Sequence, residues 1–241
     1  MFSLFREVGE RKTMNVQILQ MIEGAKKARG LTVVIDVFRA FSMEAYMMAL
    51  GAEKIIPVGD CDLAYQLKKE NPDIILAGER HGKILPGFDT GNSPSELLNL
   101  DVKGKTVVHT TSAGTQGIAN AVGADEILGG SLLTAKATAD YIKKSGAENV
   151  SLVCMGLEAI SETEEDTLCA EYIKSLVLGT PIDMEERINN LRYTSGAKFF
   201  DKAQNDVFPE ADFHMCTELD KFNFVLRLKK DNNRLGYMEK I

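Results

Sequence analysis

Short apolar runs rich in Val and Ile alternate along the chain with segments of helical length. From the amino end, the runs at 14–19, 32–35 (TVVI), 54–58 (KIIPV), 73–77 (DIILA), 105–110, 126–128 and 149–155 (NVSLVCM) predict strands. Residues 39–50, 60–70, 93–100, 114–122, 132–144 and 164–178 predict helices. Strands with continuous apolar sequence fit burial on both faces. Pro94 falls at the first position of its helix, where a missing N–H costs nothing, and Ser131 stands where a cap belongs. The β-α-β-α rhythm predicts an α/β fold, a layered α/β/α arrangement around a mainly parallel sheet. After Pro181 the strand signals fade. Residues 183–192 read as a charged helix and Asn232-Asn233 as a turn. Residues 1–13, ahead of a second methionine, read as an N-terminal extension to a main domain at 14–241, which a division near residue 130 would split into two subdomains. No low-complexity tract or repeat of solenoid period is present.

The 241 residues are 44% hydrophobic and 26% charged, enough to bury a core without disulfides or a structural metal. The 28 basic and 35 acidic side chains give a net charge of −7, with no basic block. Nucleic acid and anionic membrane are therefore poor candidates for a partner. No apolar run approaches the roughly 18–20 residues that span a bilayer, and the first residues lack the apolar core and cleavage site of a secretory signal. Cys61, Cys154, Cys169 and Cys216 are scattered and form no C-x-x-C pair, which predicts free thiols in a reducing, cytoplasmic setting. A homo-oligomer is compatible with a chain of this size.

In an open α/β sheet, ligands bind beyond the carboxyl ends of the strands, so the residues that follow each strand carry the chemical information. The run at 32–35 exits into Asp36, Arg39 and Ser42. The run at 73–77 exits into Gly78, Glu79, Arg80, His81 and Gly82, and continues through Asp89, Asn92 and Ser93. The run at 105–110 exits into Thr111, Ser112, Gly114 and Thr115, and the run at 149–155 leads to Glu164, Glu165 and Asp166. Each group has a plain structural reading. Asp36 can cap the following helix and pair with Arg39 at the surface; Glu79 and Arg80 can form an ion pair in a tight loop. Asp89 and Asn92 can simply turn the chain, and the three acids at 164–166 suit a helix N-terminus. Thr110–Thr115 has the hydroxyl and backbone N–H groups of an anion cradle, a weak signal alone. There is no G-x-G-x-x-G, and Asn99 stands where a P-loop ending in Gly104-Lys105-Thr106 needs glycine. Three scattered histidines make no zinc site, and His109, inside a strand, reads as a core residue.

Taken together, VVIDVFRAFS (33–42), AGERHGKILPGFDTGNSP (77–94), TTSAGT (110–115), EEDTLCA (164–170) and a late Asp212-x-x-x-Cys216 resemble the 2-phosphosulfolactate phosphatase family in order and approximate spacing. Phe41, His81 and Ser112-Ala113 depart from the family's usual residues. The resemblance implies a Mg²⁺-dependent hydrolase with an α/β fold. The reaction it implies is 2-phospho-3-sulfolactate to 3-sulfolactate and phosphate, a step toward coenzyme M. Carried onto this chain, it implies Asp36, Arg39, Glu79 and Arg80 as catalytic groups. Ser42, His81, Asn92, Ser93, Thr111, Ser112, Gly114 and Thr115 are the implied contacts to a small anionic substrate. Asp36, Glu79, Asp89, Glu165 and Asp166 are the candidate Mg²⁺ ligands, of which two or three are expected to touch the ion. The attacking group is either water activated by the cation or Asp36 as a covalent nucleophile; the absence of a D-x-D start favours water. Alternatives are a phosphatase or phosphoryl transferase for another phosphorylated 2-hydroxy acid, or an inactive anion-binding homologue.

Overall fold

The computed structural model describes residues 14–230 and 235–241; the expected extension at 1–13 and the turn at Asn232-Asn233 lie outside the described residues. In chain order the elements are β1 (Asn15–Gln20), α1 (Met21–Lys27), β2 (Gly30–Ile35), α2 (Ala40–Ala49), β3 (Lys54–Pro57), α3 (Cys61–Glu70), β4 (Ile75–Arg80) and β5 (Lys83–Ile84). They continue with α4 (Pro94–Leu97), β6 (Thr106–Thr110), α5 (Gly114–Asn120), β7 (Ala124–Gly130), α6 (Ala135–Ser145), β8 (Asn149–Cys154) and α7 (Glu164–Leu178). The last are α8 (Glu185–Leu191), α9 (Glu210–Thr217), β9 (Leu226–Lys229) and β10 (Tyr237–Lys240).

The strands form one sheet in the order β1-β8-β2-β7-β9-β10-β3-β6-β4-β5. Pairings β1–β8, β8–β2, β2–β7, β3–β6 and β6–β4 are parallel. Strands from both sides of residue 130 interleave, since β8 sits between β1 and β2. Strand β2 shows why its sequence is apolar without alternation. Val33 and Ile35 pack with Ala139 and Ile142 of α6 and with Ile173 of α7. Val34, pointing the other way, packs with Ala25 of α1 and Phe41 and Met43 of α2. Helices therefore cover both faces. Helix α2 is buried around most of its circumference, Glu44 included, so it is an interior helix. Pro94 opens α4 as expected, with the Ser93 hydroxyl accepting from Glu96 N at 3.3 Å. Ser131 makes no capping bond; it precedes a 3-10 turn at Leu132–Thr134.

One feature departs from a doubly wound sheet. β9 and β10, a hairpin-like pair that the fading strand signal conceals, lie between β7 and β3, and β7–β9, β9–β10 and β10–β3 are all antiparallel. Three reversals make the β3-β6-β4 group run opposite to the β1-β8-β2-β7 group. A right-handed twist of roughly 20–25° per strand accumulates to roughly 100–125° across the five steps from β2 to β6. The exits of the two groups meet despite the reversal. The loop after β6 touches the exit of β2: a Cβ on Gly114 would lie 2.7 Å from the Ala40 Cβ and 3.0 Å from Asp36 Oδ2. Only glycine permits that approach. All four cysteines are free, as expected. Among the described residues no helix is long and apolar enough to cross a membrane.

Candidate active site

At this junction lies a cavity of about 300 Å³, lined by Asp36, Arg39, Glu79, His81, Asn92 and Ser112 from the exits of β2, β4 and β6. Gly156 to Glu158, beyond β8, and Lys198, Gln204 and Phe208 close the other side.

Asp36 follows the end of β2, and its Oδ1 accepts from Ala40 N at 3.0 Å, so it holds the first N–H of α2 although the N-cap position itself belongs to Arg39. It is buried. Burial, and then the charges of Glu79 and Glu165, push its pKa up to about 6 against the pull of the Ala40 and Gly114 amides. Asp166 is a clasp. Its Oδ1 accepts from Val37 N at 2.8 Å, and its Oδ2 accepts from Met155 N at 3.1 Å and Gly156 N at 2.8 Å. These bonds tie the exits of β2 and β8 together, yet burial and the neighbouring Glu165 and Asp36 still raise its pKa well above the ordinary range. Glu165 is buried, and its Oε2 has no hydrogen-bond partner among the described residues.

Glu79 braces the loop after β6. Its Oε1 accepts from Ser112 N at 2.7 Å, and its Oε2 from Gly82 N at 2.7 Å and Ser112 Oγ at 3.1 Å. Arg80, the next residue of the strand, points to the opposite face, as alternation requires. It donates to Glu79 O at 2.6 Å, Gly59 O at 3.1 Å and Thr110 Oγ1 at 2.9 Å, and does not pair with the Glu79 carboxylate. Thr111 and Thr115 staple the loop to itself: Thr111 N donates to Thr115 Oγ1 at 3.1 Å, and Thr115 N to Thr111 Oγ1 at 3.2 Å. The expected anion cradle therefore has most of its donors already engaged within the protein.

Arg39 does not pair with Asp36 at the surface. It is buried, and its Nη1 donates to Asp212 Oδ2 at 2.7 Å and Val207 O at 2.9 Å. Its guanidinium carbon lies 4.9 Å from the centre of the Phe208 ring. The donors on Nε and Nη2 make no hydrogen bond among the described residues. Asp212, on α9, also accepts from Ser93 Oγ at 3.0 Å and Ser95 N at 2.9 Å. Asn92 is held from behind: His109 Nε2 lies 3.3 Å from its Oδ1, and His109 Nδ1 lies 2.9 Å from Glu44 Oε1 in the core. At the mouth, His81 Nδ1 lies 2.9 Å from Glu158 Oε1.

Other expected site residues fall outside the cavity wall. Ser42 is buried and donates to Val37 O at 2.8 Å, and Ser93 serves Asp212. Arg80, Thr111 and Thr115 stand behind the wall as bracing, and Gly114, though not part of the lining, lies against Asp36. Asp89 is turned elsewhere: it accepts from Leu76 N at 2.8 Å and Lys68 Nζ at 3.1 Å, which removes it from the group around Asp36. Lys198 and Phe208 follow no predicted strand, and Glu158, three residues past the run at 149–155, stands alone among Leu157, Ala159 and Ile160, so no polar motif marks any of the three.

Among the described residues no group of three or more His, Cys, Asp or Glu is arranged to hold a metal unaided. Mg²⁺ does not require one, since it keeps several waters and uses one or two carboxylates together with substrate oxygens. The unpartnered Glu165 Oε2 and the repelled Asp36 carboxylate, which holds the Ala40 N–H on Oδ1, fit that role, whereas Glu79 and Asp166 each already accept three hydrogen bonds across both oxygens.

A sequence model of the 2-phosphosulpholactate phosphatase family matches residues 16–231. The chain belongs to that family. A Bacillus subtilis relative named "Probable 2-phosphosulfolactate phosphatase" is 31% identical over 202 residues, 83% of this chain and 88% of the relative. A Caldanaerobacter subterraneus protein of the same name is 34% identical over 211 residues, 82% and 87% of the two chains. One from Carboxydothermus hydrogenoformans is 41% identical over 166 residues, 68% of each. In this member of the family, the motif residues Asp36, Arg39, Glu79, Asn92 and Ser112 meet in one cavity although two opposed strand groups supply them.

Proposed function

We propose that the chain hydrolyses 2-phospho-3-sulfolactate to 3-sulfolactate and phosphate, with Mg²⁺ as cofactor. The observation that carries this reading is the pairing, in one cavity, of a buried arginine with free donors and a buried carboxylate at a strand exit. A phosphate monoester repels nucleophiles, so catalysis requires charge neutralisation and alignment more than covalent chemistry. Arg39 is pre-set for both. Asp212, Val207 O and Phe208 fix its plane, leaving Nε and Nη2 to bind phosphoryl oxygens as a fork. Asn92 adds an amide donor whose orientation His109 sets. Asp36, steadied by Ala40 N, is the carboxylate beside the reacting group and takes the proton of the attacking water. Asp36 and Glu165 would hold Mg²⁺, which supplies positive charge for the developing phosphoryl oxygens. The rigid loop held by Glu79 keeps Ser112 and Gly114 against this centre.

The test is phosphate release from 2-phospho-3-sulfolactate by the purified chain. EDTA should abolish it, Mg²⁺ should restore it, and Asp36→Asn should lower kcat at least ~100-fold, about 2.7 kcal/mol of barrier. Full activity in chelator would remove the cation from the scheme. No release from this ester, with release from another phosphorylated 2-hydroxy acid, would reassign the substrate. No release from any of them would leave an anion-binding homologue.

A further inference from the structure

Lys198 is the one cavity-lining cation without a carboxylate partner among the described residues. It sits on the 3-10 turn Ala197–Phe200, and its ammonium stands over three aromatic rings. Its Nζ lies 5.1 Å from the centre of the Phe208 ring, 5.6 Å from Phe199 and 6.0 Å from Phe38. An ammonium drawn out of bulk water is ordinarily paired, and this chain has 35 acidic residues to draw on. Here ring faces are the near neighbours of the ammonium, while Glu165, Asp36 and Asp166 act on it from beyond ion-pair distance, and the rings offset only part of the desolvation. Arg39 shares two of those rings, at 4.9 Å from Phe208 and 5.9 Å from Phe199. Two like charges thus flank the same aromatic pair beside one cavity, and only Arg39 has a carboxylate at ion-pair distance; Glu165, Asp36 and Asp166 act on Lys198 from farther off.

A ligand with two separated negative groups satisfies this arrangement. The planar arginine fork suits a phosphoryl group beside Asp36, and the single flexible ammonium suits a second acid at a distance from it. We propose that Lys198 is a specificity-determining residue that binds the substrate's non-phosphate acid group, a sulfonate or carboxylate. The assignment rests on the phosphatase reading and deepens it. It makes the cavity selective for phosphate esters that carry a second acid over neutral ones of the same shape.

The experiment compares 2-phospho-3-sulfolactate with glycerol 2-phosphate, an ester of similar branching without either acid, in wild type, Lys198→Met and Lys198→Arg. Methionine keeps an apolar stem beside the rings, and the urea midpoint of each variant establishes that it folds. In Lys198→Met, the kcat/KM ratio between the two esters should fall about 30-fold, through KM rather than kcat, and Lys198→Arg should recover most of it. 2-Phospholactate separates the two acids. If it suffers the same loss the carboxylate is the partner, and if it is spared the sulfonate is. An unchanged ratio in Lys198→Met would overturn the proposal, because the lysine would then serve the phosphate or merely balance the nearby carboxylates. If wild type releases no phosphate from either ester, the phosphatase reading fails separately, and calorimetric binding of 3-sulfolactate becomes the readout. Binding by wild type that weakens at least about tenfold in Lys198→Met sustains the assignment, and wild type without binding refutes it.

Discussion

Replacing Asp36 by asparagine should flatten the pH dependence of folding stability. The folded carboxyl is pushed up from 3.8 to about 6, chiefly by burial and then by Glu79 and Glu165. Between those two values the folded state holds a proton that the unfolded chain has released, so stability falls as pH rises through the window. A rise of about 2 pH units, at about 1.4 kcal/mol each, makes the loss about 3 kcal/mol between pH 4 and pH 7. Asparagine does not ionise and its Oδ1 can still accept from Ala40 N. The unfavourable contact of its Nδ2 with the Gly114 amide costs the same at every pH and cancels in a double difference. Asp166 moves in the same direction, and Asp36 is one of the charges that raises it, so the substitution relieves that residue as well. The assay is urea unfolding of both proteins in EDTA at several pH values from 4 to 7.5. The stability of Asp36→Asn relative to wild type should improve by about 3 kcal/mol across the series, and added Mg²⁺ should shrink the difference at the upper end. Parallel profiles, with a relative change below about 0.5 kcal/mol, would refute the reasoning.

Arg39→Lys should lower kcat/KM at least about 100-fold, because a lysine cannot meet Asp212 and Val207 O while offering a second pair of donors; steady-state kinetics near wild type would show that charge alone matters there. Asp212→Ala leaves the Arg39 guanidinium buried and unpaired, so equilibrium unfolding should show a loss of about 3–5 kcal/mol. A loss below about 1 kcal/mol would mean that the pair is dispensable. His109→Leu should cost a similar ~3–5 kcal/mol by stranding Glu44, and adding Glu44→Leu should recover most of it; additive losses in the double-mutant cycle would contradict the buried pairing.

Much of this was legible because the core elements are local. TVVI at 32–35 is apolar without alternation and proved to be buried on both faces as β2, and the helix read at 39–50 is α2. Its exit residue Asp36 could be read as a site candidate from position alone. The β9–β10 pair was not legible, because each strand is four residues long and alternates with charges, leaving Leu226 and Met238 as its fully buried contributions. That omission hid the reversal of the second strand group. Arg80 lies beyond the strand read at 73–77, and only because β4 runs on to Arg80 do Glu79 and Arg80 become successive strand residues whose side chains face opposite ways. Asp89 carried no local sign that Lys68 and Leu76 N would claim it. Lys198 belongs to no strand exit; its place arises from packing Ala197–Phe200 against Phe38 and Phe208, which no spacing in the sequence expresses.

The cavity at the junction of the two strand groups should receive the phosphorylated acid, with Arg39 and Asp36 at the phosphoryl end. A crystal structure of the chain with Mg²⁺, 3-sulfolactate and inorganic phosphate tests it most directly. Phosphate should lie on the Nε and Nη2 side of Arg39, the ion against Asp36 and Glu165, and an acid group of the organic ligand at Lys198. Ligands seated away from Asp36 and Arg39, with this cavity holding only water, would contradict it.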